Sequence, residues 1–102
     1  LTILMQQLTL MSIEPTDDSL LCHFAQVLHY DEVDSAMQFW LQEQGFNLKE
    51  SIFGADRVSW RLEIAQQIVW LHYDELSQSI WFDQTSEILL AKLQEIAENS
   101  QN

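Results

Sequence analysis

The chain has 102 residues, with sixteen acidic and four basic side chains that give a formal net charge of −12 and a pI near 4.2. An apolar content of 47% excludes a disordered acidic tail and predicts one domain over residues 1–102, with residues 1–6 and 99–102 expected to fray. A surface this acidic repels phosphate groups, so we expect neither a nucleic-acid partner nor a membrane partner. The single cysteine, Cys22, excludes an intramolecular disulfide and a zinc site built on thiolates.

Two strands are predicted at the start of the chain, over residues 8–13 and 20–27, joined by the turn-rich segment 14–19. The second strand begins with a nearly continuous apolar run, which predicts a central strand covered on both faces, with His23 as the exception. No apolar run is long enough to cross a membrane, so a cytoplasmic location is the expectation. The chain begins at Leu1, and Met5 is an alternative native start.

A first helix follows, for which Asp31 or Asp34 is the expected N-cap and Gly45 the stop signal. Its apolar residues recur with helical spacing and predict one packing face, made of Val33, Ala36, Met37, Trp40 and Leu41. A strand over residues 46–53 then ends at Gly54.

Three segments, residues 57–64, 67–73 and 78–83, alternate apolar and polar residues and predict an antiparallel sheet with two hairpins. A first turn at Ala65-Gln66 pairs Leu62 with Val69 and Trp60 with Leu71. A second turn at Glu75-Leu76 pairs Leu71 with Ile80 and Val69 with Phe82.

A last helix is predicted after Thr85 or Ser86, either of which can act as its N-cap. Its packing stripe consists of Leu89, Leu93, Ile96 and Ala97. The resulting order is β-β-α-β-β-β-β-α, which describes an α+β domain with an antiparallel sheet and two helices.

The polar side of the three alternating strands carries the candidate interaction surface, which is formed by Arg61, Trp70, His72 and Trp81. The pairing above places Arg61, Trp70 and Trp81 in one row, and Ser59, His72 and Ser79 in the next. One interpretation is an ordinary solvated face whose tryptophans are shielded by arginine or covered by another part of the chain. The other is a contact surface for a partner protein or a second copy of the chain, because tryptophan and arginine are enriched at interface hot spots.

Catalytic and metal sites are less well supported. His72 has Ser59 and Ser79 as predicted neighbours and Asp74 nearby, but no nucleophile elbow or glycine-rich oxyanion loop accompanies them. Two groupings have metal-binding side chains without a recognised ligand spacing, namely His72 with Asp74 and Asp83, and His29 with Asp31 and Asp34. We therefore expect no catalytic residue, no metal and no cofactor.

Four short segments resemble a family of small, acidic, uncharacterised gammaproteobacterial proteins classed as a domain of unknown function. They are Gly54-Ala55-Asp56-Arg57, Trp60-Arg61-Leu62, Leu71-His72-Tyr73 and Ser79-Ile80-Trp81-Phe82. The similarity covers about residues 50–83, and it departs at residues 64–67, where the family is expected to carry a turn glycine. The resemblance implies a cytoplasmic bacterial protein without a known activity.

The leading functional hypothesis is a non-enzymatic protein-interaction domain, with homodimerisation as one version. The first alternative is an acidic chaperone similar to type III secretion chaperones, which are also small and acidic. The second is a small hydrolase or metal enzyme that uses His72.

Overall fold

The computed structural model describes residues 7–100 and contains one six-stranded antiparallel sheet and two helices. The elements are β1 Leu10–Pro15, β2 Leu20–Phe24, α1 Tyr30–Glu43, β3 Asn47–Phe53, β4 Arg57–Ile64, β5 Gln67–Asp74, β6 Ser79–Phe82 and α2 Glu87–Asn99. This order confirms the predicted α+β class. Of the ends expected to fray, residues 1–6 and 101–102 lie outside the described residues, whereas the Ser100 hydroxyl donates to the Ile96 carbonyl at the end of α2.

The strands are arranged in the order β1-β2-β6-β5-β4-β3. Strands β3 to β6 form a meander, and α1 carries the chain from β2 to β3 at the opposite edge of the sheet. Helix α1 contacts β3 and β4, and α2 contacts β1. The buried residues of both helices join the buried strand residues in a single core cluster, so both helices cover the same face of the sheet.

Alternation along the strands sorts the side chains as predicted. In β4, Val58, Trp60 and Leu62 are fully buried beneath the helices, and the residues between them are not. The helical stripes are confirmed as well, because all five predicted residues of α1 are buried. In α2, Leu89, Leu93 and Ala97 are buried and Ile96 packs against the core.

The hairpin between β4 and β5 has the predicted register. Leu62 pairs with Val69 and Trp60 with Leu71 around a two-residue turn at Ala65-Gln66. Both turn residues have positive φ, 51° and 67°, as a type I′ turn requires.

The predicted register between β5 and β6 is wrong by two residues. Leu71 pairs with Phe82 and Tyr73 with Ile80, because the chain turns through residues 75–78 rather than through Glu75-Leu76 alone. The Asp74 carboxylate accepts hydrogen bonds from the backbone N–H and the hydroxyl of Ser77, at 3.3 and 2.7 Å, and this stabilises the longer turn. A shift of two residues leaves every side chain on its predicted face.

The helix ends follow the expected signals with one exception. Ser86 caps α2 by accepting a hydrogen bond from the Leu89 N–H, and Gly45 follows α1 with a φ of 81°. The N-cap of α1 is His29 rather than Asp31 or Asp34. The Glu32 carboxylate accepts a hydrogen bond from the His29 backbone N–H at 3.3 Å. This bond fixes His29 as the N-cap, one residue before the helix begins at Tyr30.

The prediction that β2 is covered on both faces is also wrong. Leu20 and Cys22 are buried under the helices and His23 is exposed as expected, but Leu21 on the same side as His23 is only half-buried. The apolar run reflects Leu21 packing beside Trp81 of β6, its partner in the sheet, since no element within residues 7–100 forms a second covering layer there.

Candidate functional site

The face of the sheet turned away from the helices is called the open face. Strand pairing places one side chain from every strand in a single row across it: Glu14, Leu21, Trp81, His72, Ser59 and Ile52. Two apolar side chains of the open face are well exposed, namely Ile52 of this row at 46% and Ile68 of β5 at 43%. None of the residues in this row belongs to the buried core, so this face meets solvent within the described part of the chain.

An aromatic cluster of Trp70, His72 and Trp81 occupies the middle of the open face. The rings of Trp70 and His72 are nearly parallel, with centroids 6.2 Å apart and planes 6° apart. The Trp81 ring lies across the strand boundary from His72, with ring centroids 5.3 Å apart and planes 37° apart. The three rings therefore form one continuous aromatic patch across β5 and β6.

Hydrogen bonds hold the central imidazole from both sides. Ser59 Oγ lies 2.7 Å from His72 Nδ1, and Asp83 Oδ2 lies 3.4 Å from Nε2. The other carboxylate oxygen of Asp83 accepts from the Trp70 backbone N–H at 3.3 Å. The His72 side chain is only 18% exposed, so these contacts fix its orientation between the tryptophans.

The Ser59–His72–Asp83 arrangement has the composition of a hydrolytic triad, with Asp83 in the place that the sequence suggested for Asp74. Acyl transfer also needs donors for the developing oxyanion. Ser59 lies in the middle of β4, between its partners Ile52 and His72, where backbone N–H groups serve the sheet ladder. The geometry therefore orients an imidazole but supplies no oxyanion hole.

Basic side chains lie on the β4 and β3 side of the aromatic cluster. The Arg57 guanidinium lies over the Trp81 ring, 5.2 Å from its centroid, in a cation–π contact. Arg61 donates from Nε to the Glu50 carboxylate at 2.7 Å, and Lys49 lies 3.3 Å from the carboxylate of Glu63. These contacts hold three of the chain's four basic residues on or beside the open face.

Charge is distributed unevenly over the molecule. The open face combines its three basic residues with five acidic ones, Glu14, Glu50, Glu63, Asp74 and Asp83. The helices and turns carry all other acidic side chains, with Lys92 as their one basic residue. The open face is therefore the least negative surface of a strongly negative protein.

The open face is itself asymmetric. Its β5–β4–β3 half holds all three basic side chains, Lys49, Arg57 and Arg61, together with three acidic ones. Its β1–β2–β6 half holds Glu14 and Asp83 and no lysine or arginine. The aromatic cluster straddles the boundary between these halves, since Trp81 lies on β6 while Trp70 and His72 lie on β5.

All four predicted surface residues lie on this face, but their neighbours differ from the prediction. Arg61 pairs with Trp70 as expected, whereas Trp81 pairs with His72 and Ser79 with Asp74. The arginine that contacts a tryptophan ring across strands is Arg57 rather than Arg61. Sequence reasoning missed Leu21 and Ile52, although strand alternation in β2 and β3 was the signal that could have assigned them to this face.

Other chemistry finds little support in residues 7–100. No group of three or more potential metal ligands is clustered there, including the two groupings suggested by the sequence. No helix in that range is long and apolar enough to cross a membrane. Burial raises the pKa of the Cys22 thiol to about 12, so it is not an activated nucleophile.

Comparison with known proteins gives one family and no close relative. No curated protein and no solved structure matches the chain. Residues 8–99, which include the whole sheet and both helices, match the family described as "Protein of unknown function (DUF3630)". Because this match covers most of the sequence, the chain belongs to that family of unknown function.

Proposed function

We propose that this chain is a non-enzymatic protein-interaction domain whose docking surface is the open face around Arg61, Trp70, His72 and Trp81. The observation that carries the proposal is the aromatic cluster, which lies outside the core on a face that the described helices leave uncovered. Tryptophan and arginine dominate interface hot spots because they combine large contact area with a polar or charged group. The resemblance to cytoplasmic bacterial proteins supports a bacterial cytoplasm as the setting.

The edges of the sheet support docking on its face rather than along its sides. Strand β1 has an irregularity between Leu10 and Ser12 and ends in Pro15. Strand β3 has one between Leu48 and Glu50, with the charged Lys49 at that point. Bulges, proline and charged residues are the usual devices that prevent edge-to-edge pairing.

The rigidity of the cluster supports the same proposal. His72 is held by Ser59 and Asp83, and Trp81 is held by the cation–π contact with Arg57. A surface whose rotamers are fixed before binding loses less conformational entropy when a partner arrives. The hydrolase alternative uses the same His72, but Ser59 lies in mid-strand, where the backbone N–H groups serve the sheet ladder and not a developing oxyanion.

The test compares two double variants in affinity capture and light scattering. Trp70→Ser with Trp81→Ser removes the centre of the docking surface. Leu76→Ser with Ile88→Ser removes a similar number of exposed apolar side chains elsewhere, since Leu76 is 80% and Ile88 74% exposed. We expect the first variant to lose association with protein, and the control to keep it.

Circular dichroism and thermal unfolding establish whether both variants keep the fold. A folded Trp70/Trp81 variant that retains every association of the unmodified protein contradicts the proposal. Hydrolytic activity that disappears in Ser59→Ala and in His72→Ala would replace it with the enzymatic alternative.

A further inference from the structure

We infer that the partner at the open face is a second copy of this chain, related by a two-fold axis that runs parallel to the strands near the boundary between β5 and β6. This inference rests on the proposed function and names the occupant of the same surface. Charge distribution is the argument for a second copy. Two molecules of net charge −12 repel each other through their helices and turns, and the open face brings three of the four basic residues to the contact.

The asymmetry of the open face selects the direction of the axis. An axis parallel to the strands exchanges the two edges of the sheet and places the β5–β4–β3 half of each copy over the β1–β2–β6 half of the other. Lys49, Arg57 and Arg61, together with the three acidic residues of their own half, then face a half that contains Glu14 and Asp83 and no lysine or arginine, with His23 beside Glu14. An axis perpendicular to the strands would instead place basic residues over basic residues. The open face is thus self-complementary in only one of these arrangements.

The aromatic cluster lies where this axis would pass. Trp81 on β6 and His72 on β5 are paired neighbours on either side of the boundary between the halves. In the dimer, Trp81 of one copy therefore faces the β5 aromatic residues of the other copy. Central, desolvated aromatic contacts surrounded by charged pairs are the usual anatomy of a protein interface.

The size of the face is compatible with a specific but reversible dimer. Six strands about 4.8 Å apart and about 20 Å long present a flat area of roughly 500 Å² per copy. Two such faces bury about 1,000 Å², which is the threshold for a biological interface and below the roughly 1,200–2,000 Å² of stable, specific ones. We therefore expect a dimer whose dissociation is visible on dilution in the micromolar range.

Sedimentation equilibrium of the full chain with charge-reversed variants tests this arrangement. Arg57→Glu with Arg61→Glu makes one half strongly acidic, and Glu14→Lys with Asp83→Lys makes the other half basic. Each variant alone should show a dissociation constant raised at least about tenfold, because like charges then meet across the interface. An equimolar mixture of the two variants should restore a dimer that contains one copy of each. Lys92→Glu, on the helical side, should leave the dissociation constant nearly unchanged at about 0.1 M salt, where repulsion between the helical layers is screened.

Asp83 also contacts His72, so Glu14→Lys alone serves as a second variant if the double substitution unfolds the chain. A mixture that remains monomeric while both variants are folded overturns the two-fold arrangement. A wild-type chain that is monomeric at every concentration overturns the inference of a second copy. If that monomer still captures another protein through Trp70 and Trp81, the proposed function stands and only this inference fails. If capture is also insensitive to both tryptophans, the proposed function fails as well.

Discussion

Trp60 and Asp34 are joined across the boundary between sheet and helix by a hydrogen bond of 2.9 Å from the indole Nε1 to Oδ1. Trp60 is fully buried in the centre of the core, and Asp34 lies in the second turn of α1. The bond satisfies the indole N–H and fixes the rotation of the helix over β4. Asp34 lies too far into the helix to cap α1, and its carboxylate instead connects the helix to the sheet.

Replacing Asp34 by alanine should lower the free energy of unfolding by about 1–3 kcal/mol, since the buried indole N–H loses its partner. The substitution also removes the hydrogen bond from Gln38 to Asp34 on the helix surface, which is worth only about 0.2–0.5 kcal/mol, and the higher helix propensity of alanine offsets that loss. Urea denaturation measures the change. Glu43→Ala, an exposed acidic position of the same helix, is the control and should change stability little. Equal effects of the two substitutions would show that the hydrogen bond contributes nothing.

The turn between β4 and β5 should be open to stabilisation. Ala65 and Gln66 both adopt positive φ, which is unfavourable for residues other than glycine, asparagine and aspartate. Ala65→Asn with Gln66→Gly should raise the free energy of unfolding by about 1 kcal/mol. The melting temperature should then rise by roughly 4–8 °C, as followed by circular dichroism.

A matched control for this turn lies in the next hairpin. Gln78 also has a positive φ, of 55°, but its side chain donates to the Glu75 carbonyl and the Tyr73 hydroxyl at 3.1 and 3.3 Å. Gln78→Gly removes these bonds as well as the strain, so it should stabilise less than the Ala65/Gln66 variant. A larger gain from Gln78→Gly would refute this explanation of backbone strain.

The thiol of Cys22 should be inert in the folded protein. Its pKa of about 12, in place of 9.0, lowers the thiolate fraction at pH 8, by roughly a thousandfold, and burial blocks access further. A chromogenic disulfide reagent at pH 8 should therefore label Cys22 slowly in buffer and rapidly in urea. Rapid stoichiometric labelling of the folded chain would show that β2 opens readily, contrary to this structure.

Sequence reasoning predicted the elements and the faces because both depend on local periodicity. All five buried residues of α1 and the alternation of β4 follow from side-chain spacing alone. The register between β5 and β6 could not be obtained in this way. That register depends on the Asp74–Ser77 contacts that lengthen the turn. The predicted and the observed registers differ by two residues and therefore satisfy the same alternation of side chains.

For the candidate site, the sequence predicted which side chains share a face but not which of them are neighbours. The positions of Trp70, His72 and Trp81 on one face follow from alternation, but the neighbours of each depend on register. The β5–β6 shift is what brings Trp81 beside His72. The charge asymmetry of the open face could not be predicted from individual strand segments, because it depends on the order of the six strands in the sheet.

Dimerisation should increase with moderate salt. The helical layers of the proposed dimer lie about 30 Å apart, and about ten net charges on each repel by roughly 14 kcal/mol in unscreened water. Screening lowers this to about 5 kcal/mol at 0.01 M salt and below about 1 kcal/mol at 0.1 M. The dissociation constant from light scattering should therefore fall between these salt concentrations. A constant that rises steadily with salt would mean that attraction between charges, and not the aromatic centre, dominates association.

Cross-linking through an introduced cysteine tests most directly whether two copies meet at the open face. Ser79 lies on β6 beside Asp74 of β5, close to the proposed axis, and Ser35 is exposed on α1 on the helical side. Two packed sheets lie about 10 Å apart, which is beyond the Cα separation that a disulfide allows, so a bismaleimide with a spacer of about 8–10 Å is the suitable reagent. It should join two copies of Ser79→Cys into a covalent dimer on a denaturing gel, while Ser35→Cys remains largely monomeric and buried Cys22 does not react. Equal cross-linking of the two variants, or none for Ser79→Cys at concentrations well above the dissociation constant, would contradict association through this face.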